Sequence, residues 1–191
     1  MMAKSSPRHL SINKDRVVKL GIFKDMTSAQ IDELFVWIER RDYEPGMTLI
    51  KEGREAMGLF ILIAGTVSIV KSSKFGKVKL TEVTAPSILG EVGILSGMAR
   101  TARVRARTQV IAGYIPALLF KNKLAADNTT ALRLCLNMSR ILCKRLADTS
   151  ELLCAAGLYF AQHGEMTAAQ YRALSPCADR SRVPPRISRT P

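Results

Sequence analysis

A series of short apolar runs, separated by turn-forming residues, restricts the folds open to this chain more than any other feature. The segments between the runs contain glycine, proline and polar residues, which end regular structure. The runs themselves have the length and residue types of strands: Met47 to Ile50, Gly58 to Ile63, Val67 to Val70 and Val78 to Val83. Their close spacing predicts an antiparallel β-barrel or sandwich.

Helical patterns flank this β region. Thr27 and Gln30 have the spacing of a capping box, and the apolar residues that follow predict a helix ending near Arg40. Beyond the β region, residues 108–115 read as one more strand, and Pro116 opens a short helix through Leu124. The predicted fold is mainly β with α. It is an antiparallel, jelly-roll-like barrel flanked by an N-terminal helix, a short helix after the barrel and a long C-terminal helix.

The longest helical pattern runs from Ala131 to Ala156. Its apolar stripe recurs every three or four positions: Leu132, Cys135, Met138, Leu142, Leu146, Thr149 and Leu153. Such a stripe is compatible with two arrangements, burial in the core of the same chain or a seam between two helices. The pattern by itself does not choose between them.

The stretch from Ser87 to Ala106 joins a glycine-rich loop to a strand. Gly90, Gly93 and Gly97 allow backbone conformations in which N–H groups converge on an anion, as in a phosphate cradle. In the strand that follows, small apolar residues alternate with arginines: Ala102, Val104 and Ala106 against Arg103, Arg105 and Arg107. This alternation predicts a half-buried strand whose arginines face outward.

Two charged residues of the same stretch are predicted to face inward. Arg100 shares the parity of Ala102 and Val104, so a strand that reaches back to it turns its guanidinium toward the interior. Glu91 is a single carboxylate among apolar neighbours. Each buried charge needs a partner. The residues leave two possibilities open, a structural ion pair between Glu91 and Arg100 or a ligand that engages both.

The segments Leu89-Gly90-Glu91 and Ala99-Arg100-Thr101-Ala102 resemble the phosphate-binding cassette of the cyclic nucleotide-binding domain family. Its members include the catabolite activator and the regulatory subunit of protein kinase A. The family pattern runs Phe-Gly-Glu, apolar residues, a short spacer and Pro-Arg-Ala-Ala, and the spacing here matches it without a gap. Turn patterns at Pro45-Gly46 and Gly65 extend the resemblance over roughly residues 20 to 155. Three residues depart from the pattern: Leu89 replaces the aromatic, Gly93 the usual alanine and Ala99 the usual proline.

The resemblance implies a set of ligand contacts. In the family, the glutamate accepts from the ribose 2′-hydroxyl, the arginine neutralises the cyclic phosphate, and loop amides complete the cradle. The residues assigned to the cyclic phosphate and ribose are therefore Gly90, Glu91, Val92, Gly93, Arg100, Thr101 and Ala102.

Two further residues are assigned through the long helix. In the catabolite activator branch this helix closes over the nucleotide and dimerises, and Thr149 and Ser150 resemble its base-contacting residues. The competing interpretation is that both hydroxyls make hydrogen bonds within the helix, by capping it or by bonding back to its main chain. On this resemblance we expect cAMP to bind more tightly than cGMP. In the family, however, a hydroxyl at the position of Thr101 can also accept a hydrogen bond from the guanine amino group.

The amino-acid composition limits which partners and which cellular compartment we expect for this protein. Lys and Arg exceed Asp and Glu by 29 to 16, a net charge of +13, but the excess is spread along the chain. We therefore expect no clear nucleic-acid-binding element. The four cysteines, at positions 135, 143, 154 and 177, lack CxxC spacing and indicate a reducing cytoplasm. No apolar run is long enough for a signal peptide or a membrane span, so no membrane association is expected.

Four segments are predicted along the chain. Residues 1–20 form a basic, flexible segment, residues 21–127 the cyclic nucleotide-binding barrel with its flanking helices, residues 128–157 the lid and dimerisation helix, and residues 158–191 a basic, mostly disordered tail. By resemblance, a winged helix-turn-helix domain needs more residues than the tail supplies. An alternative is therefore a transcription regulator of the catabolite activator type whose DNA-binding domain is truncated or absent.

A regulatory module is favoured over an enzyme. The glycine loop has neither GxGxxG nor GxxxxGK[ST], and the two histidines, His9 and His163, fall in segments expected to be flexible. We therefore expect no catalytic residue, no metal and no cofactor. The expected ligand is cAMP or, second, cGMP. The expected partners are a second copy, bound through the long helix, and an effector protein that the sequence does not identify.

Overall fold

The computed structural model describes residues 17–73 and 76–163. Among these residues, a 3-10 turn, Gly21–Phe23, is followed by the helices α1 (Ser28–Val36), α2 (Glu91–Ser96), α3 (Ala117–Ala125) and α4 (Thr129–His163). The strands are β1 (Glu39–Tyr43), β2 (Thr48–Ile50), β3 (Gly58–Ala64), β4 (Thr66–Ser73), β5 (Gly76–Thr84), β6 (Ser87–Leu89), β7 (Arg103–Ala106) and β8 (Val110–Pro116). Within these residues, no helix is both long and apolar enough to cross a membrane.

The strands pair antiparallel in two separate four-stranded sheets, in the orders β1-β8-β3-β6 and β2-β7-β4-β5. The antiparallel arrangement is as predicted, but the barrel is not confirmed because the two sheets do not close on each other. The chain passes from one sheet to the other between β3 and β4, at Gly65, which has a φ of 90°. A Cβ there would lie 2.2 Å from the carbonyl oxygen of Gln109. Glycine is therefore required at this corner.

Two apolar clusters share the central strand β3. Leu59 and Ile61 pack on one face of the sheet, in a cluster that includes Leu34, Phe120 and Leu134 of the helices. Alternate residues point to the opposite face, so Phe60 and Leu62 join a cluster with Leu89, Val104 and Tyr114 between the sheets. Burial on both faces explains why β3 has a nearly continuous apolar sequence. Each fully buried Leu or Ile side chain contributes about 1.5–3 kcal/mol.

Helix α1 begins as predicted and ends earlier. The Thr27 side chain accepts from the Gln30 amide and the Gln30 side chain accepts from the Thr27 amide, which completes the capping box. The helix stops at Val36 instead of near Arg40. Two residues later the chain enters β1, which pairs with β8 from Glu39 opposite Tyr114 to Tyr43 opposite Val110. Pairing with a distant strand therefore ends the helix.

Helix α4 contributes to two compact units, Met1–Leu142 and Cys143–Pro191. In the first unit its buried face comprises Ala131, Leu134, Asn137 and Met138. Only Met138 of these belongs to the predicted stripe, and Leu132 of that stripe is 46% exposed. In the second unit, Leu146 and Leu153 are 69% and 62% exposed. The expected flexible segments fall largely outside the described residues, at positions 1–16 and 164–191.

Polar contacts fix the first part of α4 to the N-terminal elements. The fully buried Asn137 amide donates to the carbonyls of Ile22 and Lys24 at 2.9 and 2.7 Å. The Glu33 carboxylate of α1 accepts from Thr130 and from Asn128. The Thr130 hydrogen bond lowers the pKa of Glu33, while burial opposes the shift.

Candidate functional site

The candidate site is built around the turn between β6 and α2. Strand β6 pairs with β3, which places Leu89 opposite Phe60. Gly90 then adopts a left-handed conformation, with φ 87° and ψ 10°, and α2 begins at the next residue. A Cβ on Gly90 would lie 2.4 Å from Nη1 of Arg100. Glycine is therefore needed here both for its backbone conformation and for the space it leaves to the arginine.

Arg100 is only 7% exposed and so points inward, but it lies in the loop before β7 and not in the strand itself. Its Nη1 donates to the Gly90 carbonyl at 2.7 Å, and its Nη2 donates to the Gly58 carbonyl. The main chain is fixed as well, because the Arg100 amide donates to Arg54 and its carbonyl accepts from Gly53, both at 2.8 Å. Arginine has five N–H donors. Among the contacts of the described residues, three of these five remain to meet an anion.

Burial and nearby negative charge have opposite effects on the pKa of Arg100. Burial lowers the pKa of its guanidinium, and the Tyr114 hydroxyl and the Glu91 carboxylate oppose that shift. Glu91 itself is only 3% exposed. The two charges therefore attract each other, but the hydrogen bonds of Arg100 go to main-chain carbonyls. The positive charge of the guanidinium is accessible to a further anion more readily than it would be in a closed bidentate ion pair.

Gly93, where the family has alanine, lies against the loop that precedes β3. A Cβ on Gly93 would be 2.7 Å from the Cβ of Ala56 and 3.1 Å from the Met98 carbonyl oxygen. Both neighbours leave too little space for a methyl group. This departure from the family pattern therefore matches the local packing and removes no charged contact.

The structure brings together Gly90, Glu91, Gly93 and Arg100. Val92 is half-buried in α2, Thr101 is exposed, and Ala102 is half-buried between Arg100 and β7. Arg103 and Arg105 face outward as predicted, and Val104 and Ala106 are buried. Thr149 and Ser150 belong to the second unit. There, each hydroxyl donates to the carbonyl four residues earlier, at 2.7 and 2.9 Å.

Sequence reasoning missed two residues beside Arg100. Gly58 supplies the carbonyl that accepts from Nη2. A Cβ on Gly58 would lie 2.3 Å from the ring of Tyr114, so the tyrosine passes directly over this glycine. The one available signal was the glycine itself, because a single glycine at the start of a strand pattern often marks a close approach. The tyrosine gave no signal, since its strand is distant in sequence.

Comparisons with known proteins agree with this architecture. The family model described as "Cyclic nucleotide-binding domain" matches residues 40–127. Human cGMP-dependent protein kinase 2 is 27% identical over 108 residues, which cover 56% of this chain and 14% of the kinase. Residues 40–127 of this chain therefore match the cyclic nucleotide-binding domain family.

Solved structures share the fold at low sequence identity. The catabolite activator protein of Thermus thermophilus has a TM-score of 0.63 and 16% identity, and the match covers 82% of this chain and 80% of that protein. The regulatory subunit of a cAMP-independent protein kinase A from Trypanosoma brucei has a TM-score of 0.55 and 20% identity. That match covers 70% of this chain and 45% of the subunit. The chain thus spans less than half of the length of this subunit and a small part of the kinase.

Proposed function

We propose that this chain is a regulatory module that binds a cyclic nucleotide, with the cyclic phosphate at Arg100. The observation that carries the proposal is a buried guanidinium that is held by main-chain carbonyls and keeps three N–H groups for an anion. A buried cation without a full counter-charge is costly, and a singly charged phosphate diester supplies that charge. Planar guanidinium groups bind phosphate oxygens in pairs.

The other site residues take roles consistent with their chemistry. Glu91 is buried within electrostatic reach of Arg100, and an ionised carboxylate there accepts from a ribose hydroxyl. Gly90 and Gly93 leave space for a ligand to approach the main chain. Thr149 and Ser150 remain the proposed base contacts. Their hydroxyl protons are used within the helix, but each oxygen still accepts a hydrogen bond.

A related structure supports the emphasis on the arginine. The Trypanosoma brucei protein is the regulatory subunit of a protein kinase A that is named cAMP-independent. A variant of it with three substitutions, two of which introduce an arginine followed by an alanine, is described as bound to cAMP in its A site. That protein shares 20% identity with this chain, and the comparison gives a reason to test Arg100.

The proposed output is movement of α4. A ligand at Arg100 that favours one arrangement of α4 binds better to the protein in that arrangement. It therefore shifts the population toward that arrangement. The difference in ligand affinity between the two arrangements of α4 sets how far the population shifts. An effector protein would respond to that shift. This scheme needs no chemical step, so intact nucleotide should be recovered after prolonged incubation.

Calorimetric titration with cAMP and cGMP tests the proposal directly. We expect saturable binding of one molecule per chain, with cAMP bound more tightly, because Thr149 and Ser150 resemble adenine contacts. The curated relatives are named for cGMP, so both nucleotides belong in the experiment. A cGMP affinity more than about tenfold tighter than that for cAMP, which is about 1.4 kcal/mol, would reverse the proposed preference. If neither cAMP nor cGMP binds, the proposal is wrong.

A second proposal concerns assembly through α4. Leu146 and Leu153 are seven residues apart and largely exposed, which is the spacing of a two-helix seam. We expect a homodimer in light scattering. Replacing both leucines with Glu should give a folded monomer, because a carboxylate in an apolar seam costs several kcal/mol.

The matched control for the seam is Leu118→Glu. Leu118 is 71% exposed on α3, so its replacement adds the same charge away from α4 and should leave the dimer intact. A monomer from the unmodified protein, both with and without cAMP, contradicts the seam.

A further inference from the structure

Tyr114 lies directly behind the proposed phosphate site and has no assigned role there. The side chain is 6% exposed and its ring packs against Phe60, with ring centroids 5.0 Å apart. On another side, the guanidinium carbon of Arg41 is 3.2 Å from the centroid of the Tyr114 ring. The ring is therefore confined by an aromatic and a cation, so its hydroxyl has little freedom of position.

The hydroxyl of Tyr114 holds the main chain that in turn holds Arg100. It donates to the Met57 carbonyl at 2.6 Å. The next carbonyl along the chain, that of Gly58, accepts from Nη2 of Arg100. The Ala117 amide also donates to the Met57 carbonyl, at 2.8 Å, so this carbonyl is fixed from two directions. Consecutive carbonyls at the start of a strand point to opposite sides. Fixing the Met57 carbonyl therefore also sets the direction of the Gly58 carbonyl.

Resting on the proposed function, we infer that Tyr114 is a positioning residue for Arg100. It acts through the Met57–Gly58 segment and sets the direction in which the guanidinium presents its remaining N–H groups to a cyclic phosphate. The absence of a side chain on Gly58 is part of the same arrangement, because a Cβ would collide with the ring. A bidentate contact depends on the orientation of the guanidinium plane. A rotated guanidinium therefore binds phosphate less well even when its charge is unchanged.

Tyr114→Phe is the most specific test, because it keeps the ring and removes only the hydroxyl. We expect cAMP affinity to fall about fivefold in calorimetry, with little change in the melting temperature of the ligand-free protein. Tyr43→Phe is the matched control. Tyr43 is another buried tyrosine of the inter-sheet cluster, and its hydroxyl interacts with Arg41 and not with the Met57 carbonyl. Its variant should bind cAMP within about twofold of the unmodified protein.

A double-mutant cycle separates positioning from a general loss of packing. In an Arg100→Lys background the planar guanidinium is gone, so adding Tyr114→Phe should change affinity by less than about twofold. A loss of the same size in both backgrounds, or unchanged affinity in Tyr114→Phe alone, would overturn the inference.

A ligand-free measurement keeps the inference testable if no cyclic nucleotide binds. Hydrogen bonds to both Nη groups slow rotation of the guanidinium, so NMR of labelled arginine side chains should show resolved Nη–H signals for Arg100. These signals are assigned by their loss in Arg100→Lys. We expect them to persist in Tyr43→Phe and to broaden in Tyr114→Phe. Persistence in both variants would refute the positioning role, whatever the nucleotide titration shows.

Discussion

Arg100→Ala is expected to weaken cAMP binding about a hundredfold or more. The substitution removes the one buried cation that faces the proposed phosphate position, together with its bidentate geometry. Removing one partner of a buried, hydrogen-bonded charge pair costs about 2–5 kcal/mol, and a hundredfold loss of affinity corresponds to about 2.7 kcal/mol. Calorimetry, or competition with a fluorescent cyclic nucleotide for weak variants, measures the change.

Two further variants make this result specific. Arg100→Lys should recover only part of the affinity, because an ammonium is a point charge and does not form the planar fork. Arg103→Ala removes an arginine from the outward face of β7 and should change affinity by less than about twofold. If Arg100→Ala binds within about threefold of the unmodified protein, the phosphate does not lie at Arg100.

Gly90→Ala should produce the second largest effect, on both binding and stability. The backbone at Gly90 is left-handed, which costs an L residue roughly 1–2 kcal/mol. The added methyl group would also lie 2.4 Å from Nη1 of Arg100, so the guanidinium has to move. We expect the free energy of unfolding to fall by more than the backbone cost alone, and cAMP affinity to fall by more than about tenfold. Denaturant titration and calorimetry measure the two changes.

Gly97 offers the matched control for this substitution. It ends α2 in the same left-handed region, with φ 71° and ψ 0°. A Cβ there has no atom within 4 Å. Gly97→Ala therefore carries the backbone cost without the collision, and the difference between the two variants isolates the contact with Arg100. Equal losses of affinity in both would mean that Gly90 is needed for its backbone conformation alone.

Local signals in the sequence predicted the elements that depend on local contacts. The capping box at Thr27 and Gln30 involves residues three positions apart, and it begins α1 as expected. The alternation in β7 placed Arg103 outward and Val104 inward, because side-chain direction in a strand follows from parity. Arg100 lies before this strand, so its inward orientation comes from the contacts of its loop and not from strand parity. The end of α1 was predicted too late because Ile38 continues the helical spacing. Only pairing with β8, some seventy residues later, makes Glu39–Tyr43 a strand.

The partners of Arg100 illustrate the limit of such signals. The spacing of Glu91 and Arg100 indicated a site. A glycine at position 58 hints at a close approach, but no local pattern shows that its carbonyl accepts from a guanidinium 42 positions away. Likewise, the stripe of α4 was read from Leu132 and Cys135. Cys135 does pack against the core, but the fully buried residues of this face include Leu134 and Asn137, which lie outside the stripe, and the Asn137 amide has no apolar signature. Burial of Asn137 follows from two carbonyls at the N-terminal side of the domain, and such long-range complementarity is not visible in periodicity.

The hydrogen bonds of Asn137 set a free-energy cost for any movement of the first part of α4. Pulling this side chain away would leave its amide and the Ile22 and Lys24 carbonyls without their hydrogen bonds. Each unsatisfied buried group costs about 1–3 kcal/mol, comparable to the whole coupling energy of a typical allosteric protein. Arg140, one turn later, adds an ion pair with Asp25 at 3.2 Å. In the response to a ligand that we propose, the first part of α4, up to Arg140, therefore stays fixed to the N-terminal elements.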